Sequence, residues 1–502
     1  MRITFCLNGP NEVNGPNMWL LRHLPLLGQR GAAPEVLYLS YDPGVPCRLR
    51  DELMSHGIRV VESRIGRCTE DTIVNICAAL RDDPPDVFVP NYSIPAYYAC
   101  RFLREAGTLT VGILHSDDPY YHDVADLFLN GGPRWRLSAV VAVSRYLASL
   151  PQPAGGGSGV PTLYAPCGTP VPAQMARPAT GSFRIIYVGR IVEHQKRILR
   201  LAHRMCAIAE ALQNVEVLIY GAGEQERQVA DIVASRNCDG RVRLAGRLAA
   251  NEVFPAMVQA QAFVLLSDFE GLSVALVEAM AAGLVPIVAP FRSGSTEVVE
   301  HGVSGYVVDP EDETALVRIV RTLASDADLW RTLSANARAT IQEGGFSSEA
   351  CATRWFDFCR DLCAGRERER KSVVVPPVEE WGLPPRPTRL DGARSADLRC
   401  IDSRLSQVQA DARPVYLWGA GGSGRIFLRS RPKWRGLIEG VVDSAAEKVG
   451  AVFEGLPVLS PAQLHSLRER RPYVVITSQY EAEISRSLVK LGFEEETDFS
   501  VG

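Results

Sequence analysis

The chain has 502 residues, 46% of them hydrophobic and 22% charged, which is enough for several globular domains with large cores. Its formal net charge of −4 argues against a nucleic-acid-binding protein with a broad basic face. The twelve cysteines form no metal-type array with histidine, and the N-terminus lacks a long apolar segment. These features predict reduced thiols, no metal site and a cytoplasmic location.

Strand-like and helix-like runs alternate from the N-terminus, as in a parallel sheet with crossover helices. The first series has predicted strands at 2–7, 35–39, 87–90, 110–114 and 139–143, and predicted helices at 17–29 and 51–56. The glycine-rich stretch 151–159 interrupts this region and is predicted to be flexible. The second series has predicted strands at 183–188, 215–220, 242–244, 263–266 and 285–289. Two α/β domains are therefore expected, with a boundary in the proline-rich stretch 170–182.

A third composition change follows these two domains. Residues 366–371 alternate arginine with glutamate, and prolines continue to residue 387, which predicts an exposed linker. Strand-like runs at 415–418, 437–442 and 473–477 then predict a third, shorter parallel unit.

Two carboxylates stand at the strand-to-helix junction of the second domain. Glu270 and Glu278 follow the apolar run 262–266, and Glu278 is predicted to lie about two turns into the helix. The carboxyl edge of a parallel sheet is where open α/β folds bind ligands, and carboxylates accept hydrogen bonds from sugar hydroxyls. The alternative is a solvated Glu270 at a helix start and a structural Glu278 with a buried partner.

Glycines and cations end two other strands of the same predicted sheet. Gly189 and Arg190 follow the first strand, Lys196 lies one short loop later, and Gly221 and Gly223 end the next strand. Backbone amides, a guanidinium and an ammonium at one sheet edge are suited to holding a diphosphate.

The order of these motifs, continued by the Gly283–Pro286 turn, resembles retaining glycosyltransferases of the GT-B fold, family 4. His115, Ser144, Gly294, Glu297 and the segment 302–308 fit the same pattern, and the resemblance covers residues 1 to about 364. It implies two Rossmann-like domains facing a cleft. It also gives the boundaries that we expect: an acceptor-side domain at 1–178, a nucleotide-sugar domain at 179–345, a returning helix at 346–364, a linker at 365–398 and a Rossmann-like appendage at 399–502.

The resemblance also implies roles for particular residues. Arg190 and Lys196 would hold the donor diphosphate, Glu270 would bind the sugar hydroxyls, and Glu278 would bind the ribose. His115 would line the first-domain side of the site, although a histidine after a buried strand is also typical of a purely structural residue. The remaining donor-binding positions implied are Gly15, Gly189, Gly221, Gly223, Gly271 and Leu272. No cofactor or metal is implied for the transfer, and we expect front-face transfer with retention.

The third unit carries a dinucleotide-type fingerprint. Gly419, Gly421 and Gly424 follow a predicted strand, and Asp443 ends the next one, where an acidic residue can receive a ribose hydroxyl. The two interpretations are a nucleotide or NAD(P) site within 399–502, and a degenerate fold used for docking or homo-oligomerisation.

The sequence thus predicts a glycosyltransferase that moves a sugar from a nucleotide diphosphate sugar to a carbohydrate or lipid-linked acceptor. By resemblance, the setting is surface polysaccharide or glycolipid biosynthesis, with peripheral contact at the inner membrane face left open. The alternatives are a catalytically silent sensor of nucleotide sugars that docks a partner, and an NAD(P)-linked activity in the C-terminal domain.

Overall fold

The chain folds into three α/β units, each built around one sheet. The computed structural model describes residues 1–8, 15–41, 47–66, 69–151, 159–236, 238, 240–364, 371–377, 381, 401–421, 424–425, 427–428, 434–477, 481–494 and 497–501. Most of the stretch predicted to be flexible, residues 152–158, lies outside these ranges.

The first sheet has seven parallel strands in the order β3-β2-β1-β4-β5-β6-β7. Its strands are β1 (Arg2–Asn8), β2 (Ala33–Ser40), β3 (Arg59–Arg64), β4 (Val87–Val89), β5 (Leu109–Leu114), β6 (Ala139–Ala142) and β7 (Thr162–Tyr164). The helices that connect them are α1 (Gly15–Gln29), α2 (Arg48–Ser55), α3 (Thr69–Ala79), α4 (Ile94–Glu105), α5 (Pro119–Phe128) and α6 (Arg145–Ala148). The central strands are apolar because helices cover both faces of such a sheet.

The second sheet has six parallel strands in the order β10-β9-β8-β11-β12-β13. Its strands are β8 (Phe183–Val188), β9 (Val215–Tyr220), β10 (Val242–Gly246), β11 (Ala262–Leu265), β12 (Val285–Val288) and β13 (Tyr306–Val307). Its helices are α7 (Glu193–Lys196), α8 (Ile198–Ala211), α9 (Glu226–Ser235), α10 (Val253–Met257), α11 (Val274–Ala281), α12 (Ser295–Val298), α13 (Ala315–Ser325) and α14 (Ala327–Glu343). The predicted strands of both domains agree with the observed ones to within two residues.

A long helix, α15 (Ser348–Cys363), returns from the second domain to the first. Trp355 on this helix packs against Phe5 of β1 and Trp19 of α1, with ring centroids 5.9 and 5.8 Å apart. This contact joins the two domains into one hydrophobic core, as the predicted closing helix requires.

The third unit has its own sheet, in the order β16-β17-β15-β14-β18-β19, and its own core clusters. Its strands are β14 (Val415–Trp418), β15 (Ile438–Val442), β16 (Val452–Phe453), β17 (Leu456–Leu459), β18 (Tyr473–Ile476) and β19 (Phe499–Val501). Its helices are α16 (Ile401–Ala410), α17 (Pro461–Ser466) and α18 (Glu481–Lys490), with a 3-10 turn at Arg468–Arg470. The unit was predicted to be parallel throughout, but the edge strand β16 runs antiparallel to β17.

Only residues 371–377 and 381 of the predicted linker 365–398 lie within the described part of the chain, and they are not uniformly exposed as the charges and prolines predict. Val373 is buried and its amide donates to the carbonyl of Arg81 at 3.0 Å. Trp381 is fully buried, and its ring lies 5.2 Å from that of Phe102 on α4. The indole nitrogen of Trp381 donates to the carbonyl of Pro376. Composition does not predict the burial of Val373 and Trp381, because a few apolar side chains are enough to hold a polar strap on a domain.

Among the helices of the described residues, none is both long enough and apolar enough to cross a lipid bilayer.

Candidate active site between the first two sheets

The first two sheets meet at the carboxyl ends of their strands. After β5, the amide of Asp117 donates to the carbonyl of Glu270 at 2.9 Å, and Ser116 forms an isolated bridge with Gly271 after β11. After β6, the Ser144 hydroxyl lies 2.7 Å from that of Ser293. Loops from both domains therefore form one continuous surface.

Glu270 lies at the centre of this surface and is 7% exposed. Its Oε1 accepts hydrogen bonds from Lys196 Nζ, in a buried ion pair, and from Ser267 Oγ at 2.7 Å. Gln195 Nε2 approaches Oε2 at 3.4 Å. A buried carboxylate needs such partners to offset the loss of water. The structure thus brings together Lys196 and Glu270, which are 74 positions apart.

Arg190 belongs to the same network. Its side chain is exposed, and Nη2 donates to Gln195 Oε1 at 2.5 Å. Gln195, which is 7% exposed, therefore links Arg190 to Glu270. The sequence prediction missed Gln195, although its position directly before Lys196 was an available signal.

The glycines of this region allow backbone segments to approach closely. A Cβ on Gly221 would lie 1.9 Å from the carbonyl oxygen of Gly189, and one on Gly223 would lie 2.2 Å from that of Ile191. A Cβ on Gly271 would lie 1.8 Å from the carbonyl oxygen of His115. Real Cβ atoms cannot occupy such positions, so Gly221 and Gly271 are required by packing between neighbouring loops.

Helix α11 starts directly after Gly271 and Leu272, with the Ser273 side chain accepting from the Leu276 amide as its N-cap. Glu278 is the fifth residue of this eight-residue helix, so it lies little more than one turn in, not the predicted two.

Glu278 is 5% exposed and forms an ion pair with Arg22 of α1, with Arg22 Nη1 2.5 Å from Glu278 Oε1. Burial raises the pKa of Glu278, and the opposing effect of Arg22 is smaller. The sequence prediction missed Arg22, because the pairing of α1 with α11 exists only across the domain interface.

His115 follows β5 and lies within a polar and aromatic setting of the first domain. Its Nε2 is 2.8 Å from Asn91 Oδ1, which can only accept, so this nitrogen carries the ring proton. Trp19 and Tyr121 approach its ring edge-on at 5.7 and 5.9 Å. Burial lowers the pKa of His115 to about 3, so the imidazole is neutral at physiological pH.

Gly15 is the first described residue after the loop that follows β1, and it starts α1. A Cβ there would lie 3.7 Å from Val274 Cγ2, which places the start of α1 against the first turn of α11. The rest of the predicted glycine-bearing loop, residues 11–14, lies outside the described residues.

Two aspartates after β5 have separate roles. Asp118 caps α5 by accepting a hydrogen bond from the Tyr121 amide, a common role for aspartate at a helix start. The Asp117 carboxylate instead accepts hydrogen bonds from Nε and Nη2 of Arg292, both at 3.1 Å. This ion pair between the two domains was not predicted.

The acidic residue of the third unit is already engaged. Asp443 Oδ2 accepts from the Ala420 amide and from Lys448 Nζ, both at 3.0 Å, and Oδ1 accepts from the Ala445 amide at 2.9 Å. The Asp443 carboxylate therefore stabilises the glycine turn and is not available to accept a hydrogen bond from a ribose hydroxyl. Of the fingerprint glycines, Gly419 and Gly424 lie against each other and Gly421 faces open space.

A cavity of about 770 Å³ lies elsewhere on the domain interface, lined by Arg145, Tyr164, Glu297 and Arg354 among others. None of the predicted site residues lines it. We take the strand-end surface around Glu270 as the candidate site, because it carries the buried ion pair and the convergent cations.

Comparison with known proteins relates the second domain to a family. Residues 174–340 match the family model described as glycosyl transferases group 1. The amylovoran biosynthesis glycosyltransferase AmsK of Erwinia amylovora is 35% identical over 167 residues, which are 32% of this chain and 40% of that protein. The putative colanic acid biosynthesis glycosyltransferase WcaL of Escherichia coli is 31% identical over 179 residues, or 34% of this chain and 43% of that protein. The matched region thus spans about two fifths of these relatives.

Solved structures share the fold of the first two domains. Anabaena Alr3699/HepE in complex with UDP-glucose covers 72% of this chain and 100% of its own, with a TM-score of 0.59 and 19% identity. Staphylococcus aureus TarM in complex with UDP gives a TM-score of 0.58 at 10% identity, again over 72% of this chain and all of its own. Residues 174–340 therefore carry a domain of the glycosyl transferases group 1 family, and the first two domains have the GT-B fold. The comparisons give no support for an NAD(P) site.

Proposed function

We propose that this protein is a glycosyltransferase that moves a sugar from a nucleotide diphosphate sugar to an acceptor hydroxyl with retention of configuration, in bacterial surface polysaccharide or glycolipid assembly. The observation that carries the proposal is the network of Arg190, Gln195, Lys196 and Glu270 at the strand ends of the matched domain. Relatives named for polysaccharide biosynthesis and neighbours that bind UDP support it and make a UDP-sugar the first donor to test.

Each residue of the network has a role in this proposal. Departure of the nucleotide develops negative charge on the diphosphate, which Arg190 and Lys196 stabilise without a metal ion. Glu270 accepts hydrogen bonds from the sugar hydroxyls, and Glu278 accepts from the ribose through the oxygen that Arg22 does not hold. The neutral imidazole of His115 lines the first-domain side of the site, near the donor sugar. The other donor-contacting positions proposed are Gly15, Gly189, Gly221, Gly223, Gly271 and Leu272.

The state of Glu270 favours front-face transfer. Its Oε1 already accepts from Lys196 and Ser267, which reduces its ability to attack the anomeric carbon as a nucleophile. In the proposed step, the bond from the anomeric carbon to the diphosphate oxygen breaks as the acceptor oxygen bonds to the same face. The proton of the acceptor hydroxyl passes to the departing diphosphate oxygen.

A thermal-shift screen with UDP-, GDP- and ADP-glucose, followed by hydrolysis and transfer assays, tests the proposal, since ligands that bind the native state raise its midpoint. We expect one nucleotide class to stabilise the full chain and its sugar to be released or transferred. If a nucleotide sugar stabilises the protein and is neither hydrolysed nor transferred, the silent-sensor alternative holds. If none stabilises it or is consumed, the proposal is wrong.

A further inference from the structure

A cluster of tyrosines stands on the first-domain side of the candidate site. Tyr92 follows β4 and is 56% exposed, while Tyr120 and Tyr121 begin α5. The ring centroids of Tyr92 and Tyr120 are 5.0 Å apart, and those of Tyr120 and Tyr121 are 4.9 Å apart. Tyr121 in turn contacts His115. An exposed aromatic face, backed by the partly buried ring of Tyr120 and the buried ring of Tyr121, therefore lies beside a residue of the candidate site.

Polar atoms with unused hydrogen-bonding capacity lie behind this face. Asn91 is 1% exposed, and its Nδ2 has no hydrogen-bond partner among the described residues, although its Oδ1 accepts from His115. The buried hydroxyls of Tyr120 and Tyr121 likewise have no partner within the described part of the chain. Buried polar groups in folded proteins are normally paired, so three such atoms, from the loop after β4 and the first turn of α5, indicate a place for a polar ligand or its bridging waters.

Charged groups of both domains act on the Tyr92 hydroxyl. Desolvation of the hydroxyl end of this half-exposed side chain and the Asp118 carboxylate raise the pKa of Tyr92, whereas Arg190 of the second domain lowers it. The opposite charges of Asp118 and Arg190 favour a neutral ligand over a strongly charged one at this position.

We propose that Tyr92, Tyr120 and Asn91 form the acceptor subsite and bind a neutral pyranose ring. The C–H face of the sugar stacks on the exposed Tyr92 ring, and its hydroxyls pair with Asn91 Nδ2 and the Tyr120 hydroxyl, directly or through water. This inference rests on the proposed function, because it names the class of acceptor for the same reaction. It predicts that the acceptor is a sugar and not an alkyl or polyol chain.

Binding is tested first, independently of catalysis. Saturation-transfer-difference NMR is recorded on the full chain with UDP and the methyl glycosides of glucose, galactose, mannose and N-acetylglucosamine. We expect saturation of ring protons of at least one glycoside in the wild type and in Tyr92→Phe, and its loss in Tyr92→Ala. Tyr41→Ala is the matched control, because Tyr41 is 43% exposed and follows β2, two strands away from β4. No saturation in the wild type, or equal saturation in Tyr92→Ala, overturns the inference.

Kinetics then separates this inference from the proposed function. With the glycoside found by NMR as acceptor, the ratio of transfer to UDP-sugar hydrolysis should fall by roughly tenfold in Tyr92→Ala, as loss of a stacking contact implies, and should be retained in Tyr92→Phe. An unchanged ratio in Tyr92→Ala overturns the subsite. Absence of both hydrolysis and transfer in the wild type contradicts the proposed function instead.

Discussion

Glu270 and Glu278 are both buried carboxylates, but their counter-charges come from different places. Lys196, Ser267 and Gln195 all belong to the same domain as Glu270. Arg22, which pairs with Glu278, comes from the first domain. The side-chain partners of Glu270 therefore all come from one domain, whereas the partner of the Glu278 side chain depends on how the two domains meet.

The cations of the site give the first prediction. Arg190→Ala and Lys196→Ala should each lower turnover by about 10²-fold, because each removes a donor or charge that stabilises the leaving diphosphate. Arg190 is exposed, so its variant should keep the wild-type melting temperature. Arg243→Ala, an exposed arginine of the same domain, is the control in a donor-turnover assay. Near wild-type turnover in both variants would contradict the proposal that Arg190 and Lys196 hold the donor diphosphate.

The Arg22–Glu278 pair gives a prediction of stability with a defined pH dependence. Arg22→Met should lower the free energy of unfolding by about 3 kcal/mol near neutral pH, because it leaves a buried carboxylate without its counter-charge. Denaturant unfolding of both proteins measures the difference.

The difference in free energy of unfolding between the wild type and Arg22→Met should become smaller as the pH falls. Burial already raises the pKa of Glu278 above its unfolded value, and loss of Arg22 removes a group that lowers it. The folded variant then binds a proton more tightly than the unfolded chain, so its stability increases towards acid pH relative to the wild type. Arg22→Met with Glu278→Gln should remove this pH dependence. A difference that is constant between about pH 7 and about pH 5 would mean that Glu278 is not the group responsible.

Glu278→Gln should weaken binding of the bare nucleotide. The amide keeps the volume of the side chain but exchanges one acceptor oxygen for a donor, which mismatches a ribose hydroxyl. Isothermal titration of UDP into wild type and variant is the measurement, with Glu216→Gln, a partly exposed glutamate of the same domain, as control. Equal affinities would exclude the ribose role.

At the scale of elements, the site depends on the contact between the loop after β5 and the loop after β11. Three features make this contact tight: the Asp117–Glu270 hydrogen bond, the Ser116–Gly271 bridge and the absence of a side chain at Gly271. Helix α11 begins directly behind this contact, so the position of Glu278 is set by it.

Gly271→Ala should therefore disturb both domains. The added methyl group would collide with the backbone of His115, and such overpacking typically costs about 1–3 kcal/mol. The expected result is a lower melting temperature together with weaker UDP binding. Gly181→Ala is the matched control, since a Cβ there meets no atom within 4 Å. A melting temperature and affinity equal to those of the control would show that the loops can separate freely.

At the scale of the whole molecule, the chain between α15 and the third unit includes a strap, residues 371–377 and Trp381, that packs on the first domain. Trp381 is fully buried against Phe102, and the Lys371 and Val373 amides bond to the carbonyls of Ala106 and Arg81. The third unit itself has separate core clusters.

Two truncations test the strap. A chain ending after residue 365 should lose about 3 kcal/mol of stability, because the pocket of a buried tryptophan is left open. A chain ending after residue 390 keeps Trp381 and should unfold at nearly the temperature of the first two domains in the full protein. Calorimetry of the two truncated chains and of Trp381→Ala in the full chain measures the contribution of the strap to stability. Equal stability of the two truncations would contradict a structural role for the strap.

The sequence by itself predicted the α/β class and thirteen of the nineteen described strands, each to within two residues, because buried parallel strands are short apolar runs that need no knowledge of their neighbours. It missed six strands, namely β3, β7, β13, β16, β17 and β19. One of them, β3, carries four charged or polar side chains among its six residues, as suits a strand at the edge of a sheet. The sequence also identified Lys196 and Glu270 as site candidates from their positions after strands. Only the tertiary structure decided that these two form an ion pair, that Arg22 holds Glu278, that Asp443 is engaged and that Trp381 is buried. Apart from the bonds of Asp443 to the nearby Ala445 and Lys448, these are contacts between residues far apart in the chain, and neither local periodicity nor composition carries information about which distant side chains meet.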